Sequence, residues 1–193
     1  MEKEGRTEGH IMTEGTFRYQ SVALHSVTRE DVPMVQGILD HAAYYHANIV
    51  QVPAAGMAGR CFEAEVPRVE GTRVYKHFFY VEDSSLGNIP LAALDLFVGF
   101  PNYKTASVAM LVIRDEYQRK GLGGRLLTET IPAFLRAYHP AVEWLSVSLT
   151  ENNVPALRCL LKSQFERMNR WEKLDIKGRP IIALTYRRSV REP

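Results

Sequence analysis

The residues best placed to do chemistry lie in one short stretch, Gln118-Arg119-Lys120-Gly121-Leu122-Gly123-Gly124. It falls between the apolar run Val108-Ala109-Met110-Leu111-Val112-Ile113 and a helical run expected to start at Arg125. A strand that ends in a glycine-rich turn and feeds a helix leaves a row of unpaired backbone N–H groups at the helix's positive end, a seat for phosphate. Glycine at 121 and 123 removes Cβ atoms that would hold a phosphate oxygen away from the backbone, and Arg119 and Lys120 add positive charge at the rim. Two other phosphate loops are excluded by their spelling. The string G-x-x-x-x-G-K-[ST] is absent, and G-x-G-x-x-G fails at Leu126. What remains is Q-x-x-G-x-G after a strand, to be weighed against a turn that merely caps a helix.

A second chemical candidate is Asp95, which interrupts Leu91-Ala92-Ala93-Leu94-Asp95-Leu96-Phe97-Val98. A carboxylate buried in such a strand has its pKa raised unless a partner compensates, and a raised pKa suits a base working near neutral pH. The other reading is a solvated face or a neighbouring cation. Glu82 and Asp83, at a strand end, read as surface charges. No metal site is expected. His41 and His46 stand five apart, poorly spaced for one helical face, and Cys61 and Cys159 lack a C-x-x-C spacing.

The elements that must position these groups alternate along the chain. Phe17 to Leu24 reads as a strand, and Thr28 with Asp31 as the cap of a helix carrying Val32, Val35, Leu39 and Ala42, with Pro33 in its first turn. A helix is expected over Ala43 to Val50, then an irregular, mobile loop over Val52 to Gly59. His77 to Glu82 and Leu91 to Val98 form a hairpin around Ser84 to Asn88, and Thr105 to Ile113 adds a strand. Leu122, Leu126, Ile131, Phe134, Leu135 and Tyr138 share a helical face, with Pro132 predicting a kink or restart. A strand at Val142 to Thr150, a helix at Val154 to Ser163, and strands near Phe165 to Leu174 and Pro180 to Arg187 complete the series. This is a mixed α/β pattern.

With its flanks, Q-x-x-G-x-G resembles the pyrophosphate-binding motif of the GNAT superfamily of acyl-CoA-dependent N-acyltransferases. Downstream, Asn153, Ala156 and Phe165 match that superfamily's second cofactor segment, while Leu160 stands where a tyrosine is common and Gln164 where glycine is common. Upstream, Val27 to Val35 is similar to its opening, a first strand followed by a helix that begins at an acidic residue. The resemblance spans roughly residues 17 to 188. It implies a GNAT-like α/β fold, a mixed, mostly antiparallel central sheet flanked by helices on both faces. It also implies acetyl-CoA as co-substrate and direct attack by a primary amine of a small molecule or a protein. In that reading Gln118, Arg119, Lys120, Gly121, Leu122, Gly123 and Gly124 seat the pyrophosphate. Backbone groups of Leu111 and Ile113 pair the pantetheine amides, Asn153 holds the arm from the other side, and a backbone N–H at the Ile113 strand end stabilises the oxyanion. Asn153 reads equally as a plain helix cap. Leu160 cannot donate a proton to the departing thiolate, which keeps a noncatalytic acyl-CoA-binding module as the rival reading. Tyr44, Tyr45, His46, Phe78, Tyr80, Phe97 and Tyr103 are candidates for an acceptor cleft, although such residues more often pack in the core or on the sheet.

Composition sets the outer bounds. The 193 residues, 46% apolar, suit a single globular domain over 17–188, with a disordered leader over 1–16 and a tail over 189–193. A net charge of +2 gives no reason to expect nucleic acid, no apolar stretch approaches a membrane span, and the chain reads as cytosolic. A homodimer is compatible with this reading.

Overall fold

A computed structural model of the chain describes residues 15–50, 53–175 and 178–191. Strands β1 (Thr16–Tyr19) and β2 (Val22–Ser26) lead to α1 (Val32–Asp40), a π-helical turn (Tyr45–Val50) and α2 (Met57–Glu63). Then come β3 (Tyr75–Asp83), β4 (Ala92–Val98) and β5 (Thr105–Ile113). One helical run follows, made of α3 (Leu122–Arg125), a π-helical stretch (Leu126–Thr130) and α4 (Ile131–Tyr138). The chain continues through β6 (Trp144–Thr150), α5 (Val154–Lys162), β7 (Glu166–Leu174) and β8 (Pro180–Ser189).

The eight strands form one sheet in the order β1-β2-β3-β4-β5-β6-β8-β7. All neighbours are antiparallel except β5 and β6, which run parallel. A strand covered on both faces reads as a continuous apolar run, and β4 shows this: all its residues but Phe97 are buried. Leu94 and Leu96 face one layer, with Leu122, Leu126, Ile131, Phe134 and Leu160 from α3 to α5. Ala93 faces the other, with Phe78, Met110, Val35, Leu39 and Ala58 under α1 and α2. The sheet is thus sandwiched between helices.

Several boundaries depart from the sequence reading. Phe17 to Leu24 is a tight hairpin rather than one strand. Gln20 takes a left-handed φ of 53°, in a turn that carries none of the usual glycine or asparagine signals. Met57 to Gly59 open α2 rather than belonging to a loop, because Ala58 packs fully buried beneath α1. The helix after the glycine turn starts at Leu122, three residues ahead of Arg125. Pro132 lies within the continuous helical run, in the first turn of α4, directly after the π-helical stretch that accommodates its ring and its missing N–H.

The expected termini also change. Gly15 accepts a bond from the Ser26 N–H and Thr16 pairs with His25, so the leader's last two positions belong to the sheet. Residues 1–14 lie outside the described residues. In the expected tail, Ser189 ends β8 and Val190 is fully buried, its carbonyl accepting from Arg136. Asp83, expected at the surface, is fully buried.

Candidate functional site

The stretch from β5 into α3 is shaped by two left-handed residues, Arg119 (φ 61°) and Gly121 (φ 85°). Glycine takes that conformation without a Cβ penalty, whereas Arg119 is held in it by the turn. Leu122, 1% exposed, anchors the first helical turn in the core, and the Arg125 N–H closes that turn on the Gly121 carbonyl at 3.1 Å. The N–H groups ahead of that bond have no acceptor within the helix and face outward with its positive end. A Cβ on Gly123 would lie 3.4 Å from Ile113 Cδ1 and 3.5 Å from Cys159 Sγ, ordinary van der Waals contacts, so α3 lies against β5 and α5 at a distance that does not itself require glycine. Arg119 and Lys120 are exposed at the rim, with the Lys120 ammonium 4.7 Å from the centre of the Tyr117 ring.

The turn is tied to the sheet by side chains outside the motif. The Arg125 guanidinium pairs with Asp83 and donates to Ser21 Oγ at 3.0 Å. Burial alone would push the Asp83 carboxyl up, but bonds from Ser85, Ser21 and Arg125 together hold it below its ordinary value.

A cleft opens beside this turn. Strands β5 and β6 are in register only from Thr105↔Trp144 to Val108↔Val147, after which β5 continues to Ile113 and β6 to Thr150 unpaired with each other. The Arg114 N–H bonds the Leu91 carbonyl on the β4 side. Strand alternation therefore turns the backbone groups of Ile113, and of Leu111 two residues earlier, toward the open side. At the apex a bulge between Asp95 and Leu96 of β4 leaves Ala109 unmatched in β5. That alanine is exposed although its strand is central in the sheet. Gln118 does not point to solvent: its amide donates to the Ile113 carbonyl (2.9 Å) and to Asp115 Oδ1 (2.7 Å), bracing the strand end. Across the cleft, Asn153 caps α5, its Oδ1 accepting from the Ala156 N–H at 3.3 Å. Leu111, Ile113 and residues 118–124 thus follow one another along the stretch of β5 that β6 leaves unpaired, and Asn153 follows the end of β6.

Asp95 lies at the level of the bulge, facing α1 and α2. It is 4% exposed, Oδ2 is 3.6 Å from Lys76 Nζ, and Oδ1 makes no hydrogen bond of good geometry. Burial raises its pKa, which the Lys76 ammonium and the Leu96 N–H only partly offset. Lys76 also donates to the Cys61 and Ala64 carbonyls. Burial, with Cys61 beside it, pushes the Tyr45 hydroxyl up to about 12. Of the aromatic candidates, Tyr45, Phe78 and Tyr80 join the layer under α1 and α2. Tyr103 stands apart, 59% exposed in the β4–β5 turn. Leu160 is 1% exposed in the opposite layer.

No protein-family model and no curated protein matches the sequence. Solved structures do. An acetyltransferase from Thermus thermophilus superposes with a TM-score of 0.64 at 22% identity, over 94% of this chain and 99% of that one. A GNAT-family acetyltransferase from Bacillus anthracis gives 0.68 at 12% identity, over 92% and 99%. The fold is that of the GNAT acetyltransferases. A third example is the spermidine N-acetyltransferase from Vibrio cholerae, solved in complex with CoA and spermine. It shares the GNAT fold at a TM-score of 0.62 and 13% identity, over 89% and 96%. Within this GNAT fold the sequence reading missed the Ala109 bulge and the Asp83–Arg125 tie. No glycine, proline or turn signal marks the first, and only the spatial neighbourhood of α3 reveals the second. Among the described residues no cluster of three potential metal ligands occurs, and no helix is long and apolar enough to cross a membrane.

Proposed function

We propose that this chain transfers an acetyl group from acetyl-CoA to a primary amine by direct attack within a ternary complex. The observation that carries this reading is the splay of β5 from β6 beside the glycine turn. A diphosphate seat, an unpaired strand edge and a slot between two strands line up in the order that pyrophosphate, pantetheine amides and thioester require. The residues present fit such a ligand: Gly121 to Gly124 offer backbone N–H groups with no Cβ in the way at either end, and Arg119 and Lys120 supply charge. When bound, acetyl-CoA supplies an activated acyl thioester, and the chain does the rest. Ile113 adjoins the turn and pairs the arm, while Leu111, about 7 Å further along the strand, presents its N–H deeper toward the bulge. The oxyanion role therefore fits Leu111 better than Ile113. Asp95, next to the bulge and with a raised pKa, accepts the ammonium proton directly or through one water. A thiolate is a tolerable leaving group without an acid, since a free thiol ordinarily ionises at about pH 8.5.

One observation favours a second reading, a noncatalytic acyl-CoA-binding module: Leu160 is buried and apolar at the position of the tyrosine. Incubation with acetyl-CoA and a panel of polyamines, aminoglycosides and amino-terminal peptides, with free thiol followed by a chromogenic disulfide, separates the two. Amine-dependent release of CoA supports transfer. Protection against heat by CoA, without release, supports the module. Absence of both release and protection overturns the cofactor site itself.

A further inference from the structure

Strand β7 ends the sheet, and all nine of its residues are exposed. Met168 is 43%, Trp171 41% and Leu174 67% exposed, large apolar groups on a strand whose outer edge pairs with nothing else among the described residues. Edge strands usually carry charge or bulges that discourage pairing, and β7 has a bulge between Arg167 and Asn169. Beyond that bulge its pairing with β8 is regular from Asn169 to Leu174.

That regular part is complementary to itself. In an antiparallel match to a second copy centred on Trp171, Trp171 faces its own mate, Arg170 faces Glu172 and Glu172 faces Arg170. Asn169 then faces Lys173, and Leu174 lies beyond the regular pairs, opposite the bulge. Both cross-strand ion pairs are favourable, the exposed Trp171 gains an apolar partner in its own mate, and the two members of every pair from Asn169 to Lys173 lie on the same face of the joined sheet, as strand alternation demands. The backbone agrees. The Asp175 N–H donates to the Arg179 carbonyl in the β7–β8 hairpin, so Lys173, Trp171 and Asn169 direct their backbone groups to β8. Those of Arg170 and Glu172 are left at the open edge. The Trp171 pair is then the close, non-hydrogen-bonded kind, with its side chains nearest each other.

We infer that the β7 edge is the interface of a homodimer, in which two copies join edge to edge through the self-complementary segment Asn169 to Lys173 and form one continuous sheet. The occupant is a second copy of this chain, because a strand that answers its own charges in antiparallel register selects itself.

Sedimentation of the full chain at micromolar concentration tests this, with circular dichroism to confirm folding of each variant. The wild type is expected at twice the 21.9 kDa chain mass. Glu172→Arg sets arginine against arginine at both pairs and is expected to weaken the dimer by about tenfold or more. Arg170→Glu does the same with opposite charge. The double variant R170E/E172R exchanges the signs, restores both pairs and is expected to recover the dimer. A monomeric wild type overturns the inference. So does a dimer that survives Glu172→Arg, or a double variant as weak as the singles, since each places the contact elsewhere.

Discussion

Among individual residues, Leu160 and Asp95 carry the sharpest consequences. Leu160 is packed in the α3–α5 layer, so a phenol placed there has to enter the core rather than reach the cleft. Leu160→Tyr is expected to destabilise the fold by about 1–3 kcal/mol through overpacking and to leave the rate of CoA release unimproved. Denaturant melts and the thiol assay read both effects, and a faster variant shows that the side chain reaches the cleft after all. Asp95 is the opposite case, a polar group kept in the core at a cost. Acting as base, it works only when ionised, so activity rises as pH climbs through its pKa, which burial has lifted above the usual carboxylate value. Asp95→Asn is expected to lower kcat/KM by about 10²–10⁴ and to flatten the acidic limb of the pH profile. An unchanged profile assigns that limb to another group.

Between single residues and the whole chain stand β5 and the turn after it, and here the sequence was informative to different depths. Most of β5, Thr105 to Ile113, follows from the apolar run Val108 to Ile113, the pattern of a strand covered by helices on both faces, while Thr105 and Ser107 interrupt its first half. The glycine turn is equally plain, since a left-handed residue at Gly121 has few other occupants. The splay is invisible in the sequence because it depends on where β6 stops pairing, a property of two strands at once. The Gln20 turn and the Ala109 bulge escape for a related reason: packing imposes both on residues with no local preference for them. Hydrogen exchange gives this geometry a direct reading. The amides of Leu111 and Ile113 are expected to exchange quickly for a central strand, while Val112, whose groups face β4, stays protected. Coenzyme A should slow the first two and leave the third unchanged. Equal protection of all three in the free protein contradicts an open edge.

For the whole molecule, the pairing of β3 with the chain leaving α4 ties stability to pH. His77 on β3 and His139, just past α4, share a hydrogen bond between their Nε2 atoms at 2.9 Å. His77 also stacks on Phe79 and meets Phe134 edge-on. Such a bond needs one ring to donate and the other to accept, so it fails once both rings are protonated. Burial, with the neighbouring His139, pulls His77 from 6.5 down to about 4, and burial also lowers His139. The folded state thus binds the proton more weakly than the unfolded chain does. The stabilisation is fully present above pH 6.5 and is lost as pH falls toward about 4, where unfolding gains protons. Carboxylates such as Asp83, held below its ordinary value by its bonds, add their own loss at lower pH. The His77 contribution is isolated by difference: His77→Phe keeps an aromatic ring against Phe79 and Phe134 but removes one titrating ring and its bond to His139. Melting temperatures measured from neutral pH downward should fall less steeply for this variant than for the wild type between pH 6.5 and about 4, as the lowered His77 pKa requires. Parallel curves across that window mean that the pair does not couple folding to protons.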